Sequence, residues 1–194
     1  LIRRQRQMCI RDRARDLDFV YAYSGGYVSY ANQPGCSNAH IFAYGGKPWL
    51  TQYWVRQVKE RAYGGITPDK GYGGHDEDEG QMGGVSALMA LGLFSVTGTE
   101  SDTPYYDITS PIFDKITIKL NGDYYEGSTF TITTHNNSAE NCYIQRAQLN
   151  GMEWNYAQFN HADFTKGGKL ELWLGNEPNK SWGKLKYLAP DSDL

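Results

Sequence analysis

GYGGHDEDEGQMGGVSALMALGLF, residues 71–94, is the stretch whose reading decides the architecture. Its second half, residues 80–94, carries no charge and is apolar almost all round at helical spacing. A helix of that kind has no face to give to water and predicts burial, as in the inner ring of a helical barrel. Gly83, Gly84 and Gly92 lower its helix propensity, which makes sense where a neighbour approaches closely. Its first half is a glycine-rich loop holding four consecutive carboxylates, Asp76, Glu77, Asp78 and Glu79, with no Lys or Arg among them. A charge run is ordinarily a solvated face. This one is flanked by Gly71, Gly73, Gly74 and Gly80 and anchored to an apolar helix. In an extended loop alternate side chains share a side, so Asp76 and Asp78 point the same way. The following helix N-terminus favours the ionised form of Asp78. Two such acids can hold a metal or orient a water for general-base attack, and spacing alone does not choose between the two.

Upstream, PWLTQYWVRQVKERA (48–62) reads as a helix. Pro48 suits the first turn. Leu50, Trp54, Val55, Val58 and Ala62 fall on one apolar face, with Arg56, Lys59 and Glu60 on others, and Gly64-Gly65 ends it. A shorter helix is expected over 37–44, with glycine-rich loops at 24–36 and 64–80. Near residue 103 the pattern changes to short alternating strands. KITIKL leads into Asn121-Gly122 and on to STFTITTH; YIQRAQL leads into Asn150-Gly151 and on to MEW. Asn-Gly between alternating runs predicts a hairpin with a type I′ turn, because both central residues need positive φ. Six or so short antiparallel strands predict a small sandwich. The class is therefore α+β, divided as a leader (1–15), a helical region (16–103) and an antiparallel β region (104–190).

The charge distribution narrows the partners. Residues 1–15 hold six Arg and one Asp, a net of +5 against −3 for the whole chain, so the remainder carries −8. An acidic body argues against a nucleic-acid partner, which requires a basic face. The opening LIRRQRQMCIRDR has no apolar period and resembles translated sequencing-adapter sequence; it is set aside from the fold argument. Three Cys with no CxxC pair support neither a zinc site nor a disulfide framework. No run of about eighteen apolar residues is present to span a membrane. Fifteen Tyr and five Trp suit either sugar-stacking platforms or β packing.

GYGGHDEDEGQM followed by SALMALGLFSV resembles the signature of glycoside hydrolase family 92, commonly G-x-x-DED-x-GQ-x-S-A-W-Y-V-x-x-A-L-G-F-Y-P-V. YANQPGCSNAHIFAYGGKPWLTQYWVRQV resembles that family's G-N-(E/Q)-P segment and its Y-A-G-(K/Q)-P-W-x-T-Q helix. SPIFDKITIKL, SAENCYIQRAQLNG and GGKLELWLGNEPN resemble its closing strands. The likeness spans about residues 17–188, and three ordered motifs at family-like spacing carry it.

The resemblance implies a calcium-dependent, inverting exo-α-mannosidase acting on mannose-containing glycans. It also implies a fold in which the last part of an α/α six-hairpin barrel is followed by a β-sandwich-like region. The second acid of the triplet maps the base to Asp78, with Asp76 assisting; Glu77 lies between them as a loop acid. Asn32 and Gln33 map to the sugar-site segment. His75 and Gln81 are further substrate-binding candidates, and Asn32 and Asp76 are candidate calcium ligands, since calcium prefers oxygen donors. Gln33 stands where α-1,2-cleaving members often have Glu, and Cys36-Ser37 where they have His-His, which weighs against an α-1,2 preference. The family's general acid is a Glu in E-G-x-x-W-Q-Y, upstream of the Asn-Gln-Pro segment and not found in this chain. The expectation is thus a fragment, missing an N-terminal portion of its own chain and inactive alone. The family implies a periplasmic, cell-surface or secreted bacterial protein. Two other readings are a non-catalytic carbohydrate-binding β module with a structural calcium site, and another α/α-barrel glycosidase or phosphorylase.

Overall fold

A computed structural model describes residues 30, 33–67, 80–97 and 102–187. Its first part is helical. Helix α1 spans Gln33–Cys36 and a single 3-10 turn spans Asn38–His40. Helices α2 and α3 span Pro48–Arg61 and Gln81–Leu91. Eight strands and one short helix follow in the order β1 (Leu93–Phe94), β2 (Tyr105–Ile108), β3 (Lys115–Lys119), β4 (Thr129–His135), β5 (Tyr143–Leu149), β6 (Met152–Glu153), β7 (Gln158–Asn160), α4 (His161–Thr165) and β8 (Gly168–Gly175). The α+β class expected from the sequence is what is found.

The helix expected over 48–62 forms with Pro48 in its first turn, and Trp54, Val55, Val58 and Ala62 are buried as expected. Arg56 departs from the expectation. Instead of facing water it is 3% exposed. Its Nη1 donates to the Pro111 carbonyl and, at 2.9 Å, to Asn137 Oδ1; its Nη2 donates to the Ser138 carbonyl at 2.7 Å. One turn earlier, Gln52 Oε1 accepts from the Ile144 amide at 2.9 Å. A second face of α2 is therefore polar and buried against the β region. Hydrogen bonds to charged groups contribute about 1.5–3 kcal/mol each, so Arg56 joins the two parts firmly.

Helix α3 is shorter than 80–94 because the chain turns at Gly92 (φ +72°) into β1. A β-carbon at Gly92 would lie 2.5 Å from Pro111 Cγ, the close approach expected of it. Gly84 does not meet that expectation: a β-carbon there would meet nothing within 4 Å. Burial all round is not seen among the described residues either. Met82, Val85, Met89 and Ala90 are buried, while Gln81, Gly84 and Ala87 are exposed. The 37–44 stretch is likewise a 3-10 turn followed by successive turns rather than a helix.

The strands form two sheets, ordered β1-β2-β7 and β3-β4-β8-β5-β6. The Asn150-Gly151 hairpin forms as read, with φ of +53° and +82° and Leu149 paired to Met152. The Asn121-Gly122 hairpin pairs β3 with β4 in register, but through a longer connection over 120–128, and Asn121 is not among the positive-φ residues. The larger sheet is mixed rather than antiparallel, because β4 and β8 run parallel. Parallel neighbours need a long crossover, and the chain supplies one through β5, β6, β7 and α4.

Two apolar clusters result. One joins the helices around Val55, Val58, Met82 and Met89; the other joins both sheets around Phe130, Ile132, Phe159, Leu170 and Leu172. Strand alternation at β1 links them: Leu93 enters the sheet cluster and Phe94 the helical one. Full burial of each such side chain is worth roughly 1.5–3 kcal/mol.

Candidate functional site

Asp76, Asp78 and His75 lie outside the described residues, as do Asn32, Glu77 and Glu79. What the structure describes is the frame on either side of them. Gln33 begins α1 and Gln81 begins α3, where Gln81 is exposed. The two helices meet through sulfur: the Cys36 thiol donates to Met82 Sδ at 3.2 Å, with both residues essentially inaccessible to water. Cys36 follows Gln33 by three residues, and Met82 follows Asp78 by four. Helices α1 and α3, which follow those two segments in sequence, are thus packed on one another. Soft, polarisable sulfurs fill such an irregular junction well.

Gly80, at φ +89°, caps α3 in a left-handed conformation. A positive φ at this position suits glycine, which has no β-carbon to resist it. A helix N-terminus favours nearby negative charge.

Beside this junction His40 is 1% exposed and stacks on Phe94, ring centroids 3.7 Å apart and planes 13° from parallel. Burial drives its imidazole down to about 3, and neither buried ring nitrogen makes a hydrogen bond among the described residues. It is neutral at any working pH and packs as an aromatic ring.

A second buried polar group escaped the sequence reading altogether. Asp107, on β2, is 3% exposed. It accepts from the Tyr44 hydroxyl (2.9 and 2.8 Å to its two oxygens), from Gln158 Nε2 at 3.0 Å and from the Val96 amide at 3.3 Å. Gln158 Oε1 in turn accepts from the amides of Lys186 and Tyr187. Burial raises the carboxyl above its ordinary value, while the hydrogen bonds from Gln158, Tyr44 and Val96 oppose it. The hub ties the turn at Tyr44, the smaller sheet and the 184–187 segment together. One signal was available: Asp is depleted in strands, and YYDI reads as a strand.

Among the described residues, no three His, Cys, Asp or Glu side chains gather closely enough to hold a metal ion. Cys36 and Cys142 are buried free thiols. His135 stacks on Trp173, and His161 Nδ1 lies 2.9 Å from the Tyr106 hydroxyl. No helix among the described residues is long and apolar enough to cross a membrane.

Comparison with known proteins agrees with the frame. The sequence description of the glycosyl hydrolase family 92 catalytic domain matches residues 6–176. A secreted glycosidase of Arthroderma benhamiae is 32% identical over 174 residues, which is 89% of this chain and 21% of that protein. A family GH92 α-mannosidase of Bacteroides thetaiotaomicron, solved in complex with mannoimidazole, is similar with a TM-score of 0.72 at 27% identity, covering 81% of this chain and 19% of that one. A family GH92 inverting mannosidase of the same organism gives a TM-score of 0.67 at 35% identity, covering 79% of this chain and 20% of that one. The chain spans about a fifth of the length of these relatives. With a family match over most of its length, the chain belongs to glycosyl hydrolase family 92.

Proposed function

We propose that this chain carries the base-bearing part of an inverting, calcium-dependent exo-α-mannosidase that releases terminal α-mannose from glycans. The observation that carries the proposal is the packing of α1 on α3 through Cys36 and Met82. It brings the segment after Asn32 and Gln33 against the segment after Asp76 and Asp78. The relatives that resemble the chain are named as α-mannosidases, one of them inverting.

In this reading Asp78 takes a proton from a water on the far face of the sugar. Asp76 orients that water, and the α3 N-terminus favours the ionised form of Asp78. Asn32 and Gln33 bind hydroxyls of the terminal mannose; His75 and Gln81 line the same pocket. Inversion requires a second carboxyl to protonate the leaving oxygen, and the upstream Glu of E-G-x-x-W-Q-Y supplies it. The 194-residue chain alone therefore turns over no mannoside. The side-chain amide of Asn32 and the carboxylate of Asp76 offer the oxygen donors calcium prefers. When bound there, the ion supplies positive charge beside the sugar hydroxyls. The helices form the last part of an α/α barrel and the two sheets a sandwich-like pair. The secreted relative supports an extracytoplasmic location, in the periplasm, on the cell surface or outside the cell.

The test is release of mannose from an aryl α-mannoside by a polypeptide in which this chain is preceded by the upstream region bearing that Glu motif. Asp78→Asn is expected to lower kcat by roughly 10²- to 10⁴-fold, the scale of general-base catalysis. Near-unchanged turnover in that variant would reassign the base.

A further inference from the structure

Tyr63, just beyond the end of α2, is the point where three segments converge. Its hydroxyl donates to the Tyr30 carbonyl and lies 3.8 Å from Cys36 Sγ and 3.9 Å from Met82 Sδ. The Cys36 thiol contacts the same Tyr30 carbonyl at 3.8 Å. All four residues are buried, at 7% (Tyr30), 1% (Cys36), 0% (Met82) and 5% (Tyr63) exposure. The backbone that aims the phenol is itself fixed. The Tyr63 amide donates to the Val58 carbonyl at 3.3 Å, and its carbonyl accepts from Lys59 Nζ at 2.7 Å. The next residue must be small: a β-carbon at Gly64 would lie 2.0 Å from the Glu60 carbonyl oxygen.

Tyr30 precedes Asn32 by two residues, Cys36 follows Gln33 by three, and Met82 follows Asp78 by four. One hydroxyl on a rigid helix end therefore touches the flanks of both segments that the proposed function places in the site. We infer that Tyr63 is a positioning residue that sets the spacing between helix α1, which continues the Asn32-Gln33 segment in sequence, and helix α3, which continues the Asp76/Asp78 loop. The inference rests on that function for its catalytic meaning, but its structural content stands apart. Tyr63 lies outside every family motif quoted above.

The test uses Tyr63→Phe, which keeps the ring and removes only the hydroxyl, and Met82→Leu, which keeps apolar volume and the Tyr63–Tyr30 bond. Amide hydrogen exchange is measured on the 194-residue chain. In Tyr63→Phe, amides at 36–41 and in the first turns of α3 (84–86) are expected to exchange about tenfold faster together, the scale of one lost buried hydrogen bond. Amides of β4 and β8 stay within about twofold of wild type, as independent opening units do. In Met82→Leu, only the α3 amides quicken.

Three results would overturn the inference: no change, a change confined to residues 58–66, or one common factor at every amide. In the longer polypeptide, Tyr63→Phe is expected to lower kcat per folded molecule, which loss of folded protein alone would not do. If the exchange pattern holds but no polypeptide releases mannose, the functional reading fails and the spacing role survives. If mannose is released and exchange at 36–41 and 84–86 is unmoved, the reverse is true.

Discussion

Removing the Asp107 carboxylate should destabilise the chain by an amount set by who is left without a partner. In Asp107→Ala, Gln158 Nε2, the Tyr44 hydroxyl and the Val96 amide lose their acceptor. Tyr44 recovers part of its loss, because the Tyr105 hydroxyl lies 3.4 Å away and can accept instead. The Val96 contact is long at 3.3 Å and contributes little. Gln158 is 0% exposed, so its amide stays dry and keeps only a long 3.4 Å contact to the Tyr44 hydroxyl. A buried donor stranded in this way costs about 1–3 kcal/mol, and bonds to a charged acceptor are at the upper end. Relief from burying the ionised carboxyl offsets part of the total. The net is about 2–4 kcal/mol, or roughly 4–16 °C in thermal midpoint for a chain of this size.

Circular-dichroism melting and urea denaturation would measure it, with the double variant Asp107→Ala/Gln158→Ala isolating the coupling. The pH dependence supplies a second readout. The folded carboxyl is raised above its ordinary value, so the folded state binds a proton the unfolded chain has already lost. That contribution is fully present below the unfolded value and is lost as pH rises through the folded one. Asp107→Asn should flatten this limb. A loss below about 0.5 kcal/mol in Asp107→Ala, the range of an ordinary surface substitution, would refute the hub as a buried, satisfied network.

Arg56→Ala should cost about 3–5 kcal/mol, since it takes a donor from Asn137 Oδ1 and from the Ser138 carbonyl, leaves the Pro111 carbonyl only a long 3.4 Å bond from Asn137 Nδ2, and opens a gap between α2 and the sheets; Arg56→Lys, lacking the fork, should recover less than half in the same urea titration. Gly92→Ala should cost about 1–3 kcal/mol from positive φ and from the Pro111 ring 2.5 Å from the new β-carbon, read as a lower thermal midpoint. His40 is pushed down to about 3 by burial, so between that value and the ordinary 6.5 the unfolded chain binds the extra proton. Its share of stability is therefore lost as pH falls through that window. His40→Phe should remove that acid sensitivity, checked by melting at pH 7 and pH 4.5.

The α+β class, the α2 helix and the Asn150-Gly151 turn were readable because each rests on local rules: helical period, Pro at the first turn and positive φ. The family was readable from three ordered motifs. What could not be read came from partners distant in sequence. Arg56 looks like a surface residue until Asn137 and Ser138 are brought to it. The parallel pairing of β4 with β8 depends on a crossover that no local signal encodes. Asn121-Gly122 looked like a two-residue turn, but the strands are set further back, from Lys119 to Thr129. The acidic loop lies outside the described residues, and that Cys36 would sit against Met82 follows only from the packing of α1 on α3.

Proton NMR of the first-formed sugar from an α-mannoside, using the longer polypeptide with calcium present, tests the central claim most directly. A water activated by Asp78 on the far face must give β-mannose first, with the signal lost in Asp78→Asn. Initial appearance of α-mannose, or β-mannose formed at an undiminished rate by the Asp78→Asn variant, would contradict it.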